Sequence, residues 1–269
     1  MGETAQAKWA DAKLARAQQH RHDLVGRIAA WAGTSPPKYD GNIADDRLSY
    51  EVRVQMRHSP PLEEWSLILG DALHNLRSAL DVLVWSLAEV ETLSGKEQKR
   101  LMWPVVVERE SWVDAAARSL PAVPADVVAR IEECQPFNWP ESQREQDGLL
   151  LLHRLDIQDK HRLSLAAQVE PTRTEIQQSV EFHDGAAAAR NAPPDMTIVD
   201  QALVNGATLL RGRTVDPIKR IGGTFNLTFQ TGLSIDGNFV GALELLDGLS
   251  SHVTQVLQHV ANPPDDVVS

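Results

Sequence analysis

One run of the chain, residues 62–93, constrains the fold more than any other, because its apolar residues recur at alternating four- and three-residue steps. This spacing places them on one stripe of an α-helix. The stripe consists of Trp65, Leu69, Ala72, Leu76, Ala79, Leu83 and Leu87. Two prolines at positions 60 and 61 come directly before it. The pattern predicts one long helix from Leu62 to Leu93 that must bury its apolar face against another element.

The same periodicity predicts further helices at both ends of the chain and in its middle. They cover residues 4–31, 111–118, 125–133, 141–160 and 242–260. Strict alternation of apolar and polar residues predicts a half-buried strand over residues 48–56, and alternation returns between 163 and 182 and at 225–229. Asn205-Gly206 is typical of a two-residue hairpin turn. The small residues and prolines of 184–194 favour a flexible loop.

The order of these elements predicts an α+β fold, in which long amphipathic helices pack against an antiparallel sheet formed mainly by the C-terminal half. Helices first and strands later would also fit two domains, but the early strand and the late helix favour one. We therefore expect a single unit over residues 1–269. Within it, 1–160 is mainly helical with one early strand, 161–240 is mainly β, and 241–260 is a terminal helix. The long helices also allow a homodimer.

The net charge and the composition of the chain limit the kinds of partner that it can bind. The formal net charge is -11, which argues against DNA binding and gives RNA binding no general support. Cys134 is the only cysteine, so nothing points to an oxidising compartment. The adjacent Glu132 and Glu133 disfavour its thiolate. No run approaches the roughly 18 apolar residues of a membrane span. We expect a cytoplasmic protein with no membrane partner, and no motif implies a cofactor.

The first candidate site lies inside the longest predicted helix, in the segment ALHNLRSALD and just before it. One stripe carries Asp71, His74, Ser78 and Asp81, and it is flanked by Asn75 and Arg77. A carboxylate beside a histidine fixes its tautomer and raises its basicity, as a general base or a metal ligand requires. A buried polar network that joins this helix to its neighbours explains the same residues without any reaction.

The second candidate site is the segment from His153 to Arg162. One face of the predicted helix carries His153, Asp156 and Lys160, and another carries Arg154 and His161. The local excess of basic residues indicates an anion site, with Lys160 and Arg162 as substrate-binding residues. Cations that offset the negative end of a helix dipole explain the same excess. Because both helices must enter one core, we expect their polar faces to lie near one another.

A resemblance adds to this interpretation. The segments ALHNLRSALD, Trp103-Pro104-Val105, Gln135-Pro136-Phe137 and LHRLDIQDKHR together resemble an uncharacterised bacterial protein family over residues 60–165. More distantly, the chain is similar to HEPN-type helical proteins, which carry an Arg, four to six residues, and then a His on one helix. Many of those proteins are metal-independent ribonucleases whose site forms across a dimer.

The HEPN similarity implies Arg154 and His161 as catalytic residues, since six residues separate them. In such enzymes the histidine moves a proton at the ribose 2′-hydroxyl and the arginine stabilises charge on the phosphate. The segment that begins at Arg77 does not fit this Arg-to-His pattern. Four residues after Arg77 the chain has Val82, at the position where relatives often carry His. The hypothesis is an RNA-directed module, either an active ribonuclease or a degenerate relative.

Two alternatives remain open. The first is a non-catalytic binding or scaffold protein that self-associates through its long helices. The second is a metal-dependent hydrolase, because His74, Asp81, His153 and Asp156 are suitable ligand types. No spacing among them specifies a metal, so we predict no metal ligands.

Overall fold

The computed structural model describes residues 7–34, 36–161, 165–193, 195–199 and 204–261. Within these ranges the chain divides into two compact units. The first contains the described residues up to Val25, Glu63–Ala166 and the described residues from Leu243 onward. The second contains Gly26–Leu62 and the described part of Ala167–Ala242. The single unit expected from the sequence stays a prediction.

Helices dominate the first unit, and their bounds follow the apolar periodicity. In chain order the α-helices of the described residues are α1 (Ala7–Thr34), α2 (Leu62–Leu87), α3 (Gly95–Gln98), α4 (Trp112–Ser119), α5 (Ala125–Glu133), α6 (Gly148–His161), α7 (Gly185–Arg190) and α8 (Ala242–Ala261). All but α7 lie wholly or mainly in the first unit. Every residue of the predicted stripe on α2 from Trp65 to Leu83 is buried, which confirms that this face packs in a core.

The two largest differences from the predicted helix boundaries are at the end of α2 and at the start of α6. The helix expected to reach Leu93 ends at Leu87, and Ser94 starts the new helix α3 with a capping box to Glu97. The helix expected from residue 141 begins at Gly148, after the 3₁₀ segment Glu141–Gln146. Asp147 caps it by accepting a hydrogen bond from the Leu150 amide at 2.9 Å.

Strands lie in the second unit and form two antiparallel sheets, as the fold class predicted. In chain order they are β1 (Lys38–Ile43), β2 (Ser49–Gln55), β3 (Ala167–Phe182), β4 (Asp195–Ile198), β5 (Thr208–Arg213), β6 (Ile218–Ile235) and β7 (Asn238–Gly241). One sheet has the order β1-β2-β5-β4 and the other the order β3-β6-β7. Long helices early and strands mainly late confirm the α+β class.

The core of the first sheet forms where alternation places apolar side chains on one face. Tyr50 and Val52 of β2 pack with Leu210 of β5 and with Ile218. Gly212 is required beside them, because a β-carbon there would overlap the Tyr50 ring. In the same unit the end of α1 packs against β6, since the rings of Trp31 and Phe229 meet edge to face at 5.5 Å.

Two predictions for the C-terminal half fare differently. The flexible loop expected over 184–194 is wrong, because Gly185–Arg190 is helical and Asp184 caps it through the Ala187 amide. The four alanines at 186–189 are strong helix formers, which outweighs the small-residue signal. Asn205-Gly206 does form a turn, with φ +85° at Gly206. In the first arm of that predicted hairpin, Leu203 lies outside the described residues and Val204 is not in a strand.

Candidate functional site

Helices α2 and α6 bring the two predicted polar segments together. His74 of α2 contacts Asp156 of α6, and Gly70 faces Asp159 one turn away on each helix. Residue numbers rise along α2 as they fall along α6, so the two helices are antiparallel where they meet. A β-carbon at Gly70 would lie 2.6 Å from a carboxylate oxygen of Asp159, which shows how closely the helices approach. The predicted nearness of these polar faces is confirmed.

His74, Ser78, Asp156 and Lys160 form what we call the His74 cluster. His74 Nδ1 lies 3.1 Å from Asp156 Oδ1, and Lys160 Nζ donates to Asp156 Oδ2 at 2.8 Å. The Asp156 side chain is only 6% exposed, whereas those of His74 and Lys160 are 47% and 44% exposed. Ser78 Oγ lies 3.4 Å from His74 Nε2. A buried carboxylate therefore holds an imidazole and an ammonium group that both reach solvent.

The bond to Asp156 orients the His74 ring. A carboxylate accepts hydrogen bonds, so the Nδ1 atom of His74 carries a proton and donates it to Asp156. In the neutral ring Nε2 is then unprotonated and can accept a proton. The long contact to Ser78 is a weak interaction that does not occupy this nitrogen fully. The cluster can therefore take up a proton on its outer side and release it there.

Arg77 and Asp81 form a separate ion pair on α2 that ties down the segment after α3. Arg77 Nη1 donates to Asp81 Oδ1 at 2.7 Å, and Arg77 Nη2 donates to the Trp103 carbonyl at 2.7 Å. Asp81 Oδ1 also accepts from the Trp103 amide at 2.8 Å. Both backbone groups of Trp103 are thus satisfied by α2. This supports the interpretation of Arg77 and Asp81 as a structural network.

His153 lies on α6 between the two groups just described. It lines a cavity together with Arg77. Burial, and then the positive charge of Arg77, lower the pKa of His153 below its ordinary value. Its Nδ1 atom is buried and has no hydrogen-bond partner in the structure. The carboxylates of Asp156 and Asp81 raise the pKa of His153, but burial and Arg77 outweigh them.

Asp71 and Asn75 contribute less to this arrangement than their place in the sequence suggested. The Asn75 side chain donates to the Asp71 carbonyl at 2.8 Å, a contact within the same helix. Asp71 is exposed, and its negative charge affects the pKa of His20 on α1. Burial and Arg16 lower the pKa of His20, and Asp71 opposes them by raising it. Both residues therefore flank the His74 cluster rather than complete it.

The predicted catalytic pair, Arg154 and His161, also belongs to α6. Arg154 Nη1 donates to Glu145 at 2.8 Å, and the Arg154 side chain is 40% exposed. His161 is the last described residue of α6, and its side chain lies outside the described set. Arg162, predicted to bind substrate, also lies outside the described residues. The roles of Arg154, His161 and Arg162 stay predictions, whereas Lys160 is placed in the His74 cluster.

The residues proposed as metal ligands have other partners. Asp81 is bound to Arg77 and to the Trp103 amide, and Asp156 is bound to His74 and Lys160. In the described part of the chain, no group of three or more His, Cys, Asp or Glu side chains is arranged to hold a metal ion. The arrangement offers no support for the metal-dependent hydrolase.

Cys134 behaves as its sequence neighbours predicted. Burial first, and then the charges of Glu133 and Asp147, raise its pKa to about 12. The thiol is therefore protonated at neutral pH, which confirms that its thiolate is disfavoured.

Sequence reasoning missed the part of the site that lies around Trp103. Trp103 is almost fully buried, and its backbone binds both Arg77 and Asp81. Arg118 of α4 lines the same cavity as His153. The proline at position 104 marks an extended segment here, but backbone groups leave no signal of their own in a sequence.

Comparisons with known proteins leave this geometry as the basis for a functional conclusion. No protein-family model, curated protein or solved structure matches the chain. Of the helices that the structure describes, none has both the length and the apolar character needed to cross a membrane.

Proposed function

We propose that the chain is an HEPN-like module directed at RNA, and that the His74 cluster supplies proton transfer on its surface. The observation that carries the proposal is the half-exposed His74 ring, whose Nδ1 lies 3.1 Å from the buried Asp156 carboxylate. A fixed ring with an accessible Nε2 is what a general base needs. The cation required beside it is Lys160, 2.8 Å from the same carboxylate.

The reaction proposed is attack of a ribose 2′-hydroxyl on the adjacent phosphate. His74 Nε2 takes the hydroxyl proton, the new oxygen–phosphorus bond forms, and the bond to the 5′-oxygen of the next nucleotide breaks. A protonated group must then supply a proton to that leaving oxygen, and we assign this role to His161. Lys160 stabilises charge on the reacting phosphate, and Arg154, on another face of α6, binds a neighbouring phosphate of the RNA. These assignments need no metal ion.

Arg154 forms a weakly held ion pair with Glu145. Its ion pair with Glu145 lies on the surface, and the two side chains are 40% and 72% exposed. Exposed ion pairs contribute about 0–1 kcal/mol, so a phosphate can displace Glu145. Arg154 and His161 stand seven positions apart in the sequence. That separation is two helical turns, or about 10 Å, along the axis of α6.

The test is cleavage of single-stranded RNA by the purified protein in excess chelator. The variants are His74→Asn, which removes the base, and His161→Ala, with His22→Ala as the matched control. His22 is an exposed histidine whose ring contacts the Gln18 carbonyl of its own helix. Loss of a general base lowers rates by about 10²–10⁴-fold. We expect that loss in His74→Asn and His161→Ala, and full activity in His22→Ala.

Salt dependence separates a local site from general attraction. Single-stranded nucleic acid binding changes with a slope of about −0.7 per phosphate neutralised. With Lys160 and Arg154 as the two proposed phosphate contacts, we expect a slope of about −1.4 in a plot of log K against log salt. A slope several times steeper would mean that contacts elsewhere on the chain carry the binding.

The alternative function is a non-catalytic binding or scaffold role, with self-association through the long helices. It is favoured if folded wild-type protein leaves RNA intact and sediments as a dimer. RNA cleavage that chelator abolishes, or that His74→Asn and His161→Ala both retain in full, contradicts the proposed mechanism.

A further inference from the structure

Helix α1 carries a stripe of aromatic and basic side chains. Its members are separated by four, three and four positions, so they point to one side of the helix. They are Trp9, Lys13, Arg16 and His20. Trp9 is 64% exposed. Neither Lys13 nor Arg16 forms an ion pair with a residue that the structure describes, and Arg16 donates to the Gln19 side chain of its own helix at 3.1 Å.

Helix α2 carries a matching stripe that begins in the His74 cluster. It runs from His74 through Ser78 to Trp85, which is 39% exposed. His74 and Trp85 stand eleven positions apart, as do His20 and Trp9 on α1. Eleven residues are about three helical turns, or about 16 Å along the axis. Each helix therefore presents a histidine and, three turns away, an exposed tryptophan.

Two contacts show how α1 and α2 run relative to one another. The negative charge of Asp71 on α2 reaches His20 on α1 and opposes the lowering of its pKa. Nearer the C-terminal end of α1, the Trp31 indole donates to the His58 carbonyl at 3.0 Å, just before α2 begins. Residue numbers rise along α1 as the numbers of their partners fall, so the two helices are antiparallel.

The antiparallel order brings both tryptophans to one end of the paired stripes and both histidines to the other. Trp9 lies eleven residues before His20, so it is level with Val82 of α2, within one turn of Trp85. The two cations of α1 lie between the ends. We call this surface, formed by the stripe of α1 and by His74, Ser78 and Trp85 of α2, the α1–α2 face.

The chemistry of the α1–α2 face matches one kind of ligand. Exposed aromatic rings combined with cations are what single-stranded nucleic acid requires, because bases stack on the rings and phosphates meet the cations. Acids here are few or compensated, since Asp71 stands at the histidine end and Asp81 is paired with Arg77. In a chain with a net charge of -11, this is a local surface where phosphate can approach.

We propose that single-stranded RNA lies along the α1–α2 face and reaches His74 from the tryptophan end. Its bases stack on Trp9 and Trp85, and its phosphates meet Lys13 and Arg16. This rests on the proposed function, and it adds residues that hold the substrate up to about 16 Å from the reacting bond.

The test is binding of a labelled 2′-O-methyl oligouridine to the whole chain, measured by fluorescence anisotropy. This probe keeps the bases and phosphates but has no free 2′-hydroxyl, so it binds without being cleaved. Trp9→Ala and Trp85→Ala should each weaken binding about fivefold or more, and Trp85→Phe should keep most of it, because a phenyl ring also stacks. Trp139→Ala removes a tryptophan that is 42% exposed outside both helices, and it should bind as wild type does.

Salt dependence tests the two cations separately. Lys160 and Arg154 alone give a slope of about −1.4 in a plot of log K against log salt, and two further phosphate contacts make it about −2.8. The double variant Lys13→Gln/Arg16→Gln should return the slope to about −1.4. Arg100→Gln, at an exposed position outside both helices, should leave it unchanged.

Three results would overturn the inference, each obtained with variants whose circular dichroism shows that they are folded. The probe does not bind, both tryptophan-to-alanine variants bind it as wild type does, or these variants break a dimer and leave RNA binding unchanged. The proposed function is judged apart from this. Cleavage that depends on His74 but not on either tryptophan keeps the function and rejects the face. Probe binding as expected, with RNA cleaved equally by His74→Asn, keeps the face and rejects proton transfer by His74.

Discussion

The ion pair between Arg77 and Asp81 is asymmetric, and this asymmetry predicts which of its two partners matters more for stability. The Arg77 side chain is 7% exposed, whereas that of Asp81 is 39% exposed. Substituting Asp81 by Ala leaves a buried guanidinium without its counter-ion and the buried Trp103 amide without its acceptor. Substituting Arg77 by Met leaves a carboxylate that water already reaches.

The magnitudes follow from these exposures. Removing one partner of a fully buried pair costs about 3–5 kcal/mol. Partial exposure of Asp81 lets water screen the pair, so we expect about 3 kcal/mol for Asp81→Ala. Arg77→Met loses one hydrogen bond to the Trp103 carbonyl but keeps most of the buried alkyl packing, for a cost of about 1–2 kcal/mol. The double variant should be less destabilised than the sum by about 1–2 kcal/mol, because no unpaired charge remains.

Urea unfolding followed by far-UV circular dichroism measures all three variants, because the helical signal arises mainly from the first unit. The midpoint and slope give each free energy of unfolding, and the four proteins form a double-mutant cycle. If Arg77→Met proves as costly as Asp81→Ala, the asymmetry of exposure does not set the energy. If the two effects add within about 0.5 kcal/mol, the pair is not coupled.

Three further predictions test packing, capping and titration. Gly212→Ala should lower the free energy of unfolding by about 1–3 kcal/mol, because the new β-carbon overlaps the Tyr50 ring. Gly26→Ala, in open space on a helix, should raise the free energy of unfolding by up to about 1 kcal/mol. Burial raises the pKa of Asp147. Asp147→Asn keeps the helix cap without the buried charge, so this variant should be more stable than wild type at neutral pH. Asp147→Ala loses the cap and should be about 1 kcal/mol less stable than wild type. For His153, whose folded pKa lies below 6.5, the unfolded chain binds the proton first. Stability should therefore fall as pH drops below about 6.5, and His153→Gln should flatten that part of the profile.

Local patterns in the sequence were enough to predict the long helices. Apolar stripes at helical spacing describe a face that must be buried whatever covers it, so α1, α2 and α8 could be read from periodicity alone. Strand β1 was missed, because Lys38–Ile43 is polar and alternates only weakly between Tyr39 and Ile43. Its pairing with β2 sets its conformation, and pairing is not visible in a single segment.

The candidate site was predictable only in part, for a related reason. The polar stripes of α2 and α6 could be expected to meet, and the contact between His74 and Asp156 bears this out. The partners of Arg77 and Asp81 could not be foreseen, since they are the backbone groups of Trp103. Side-chain types mark where charge is available, but they do not say which buried amide or carbonyl will use it.

Charge balance links the acidic composition of the chain to the proposal that His74 is the reactive group. Arg77 is matched by Asp81 within α2, and Lys160 by Asp156 within α6, so each of these two cations has a counter-charge on its own helix. A net charge of -11 would repel RNA from most of the surface. In the proposed function, a phosphate therefore competes where a cation is exposed and its ion pair is weak or its acid is shared. Lys160 meets that condition, because its partner Asp156 also contacts His74. In the proposed reaction, a phosphate that draws Lys160 outward leaves Asp156 to stabilise a protonated His74.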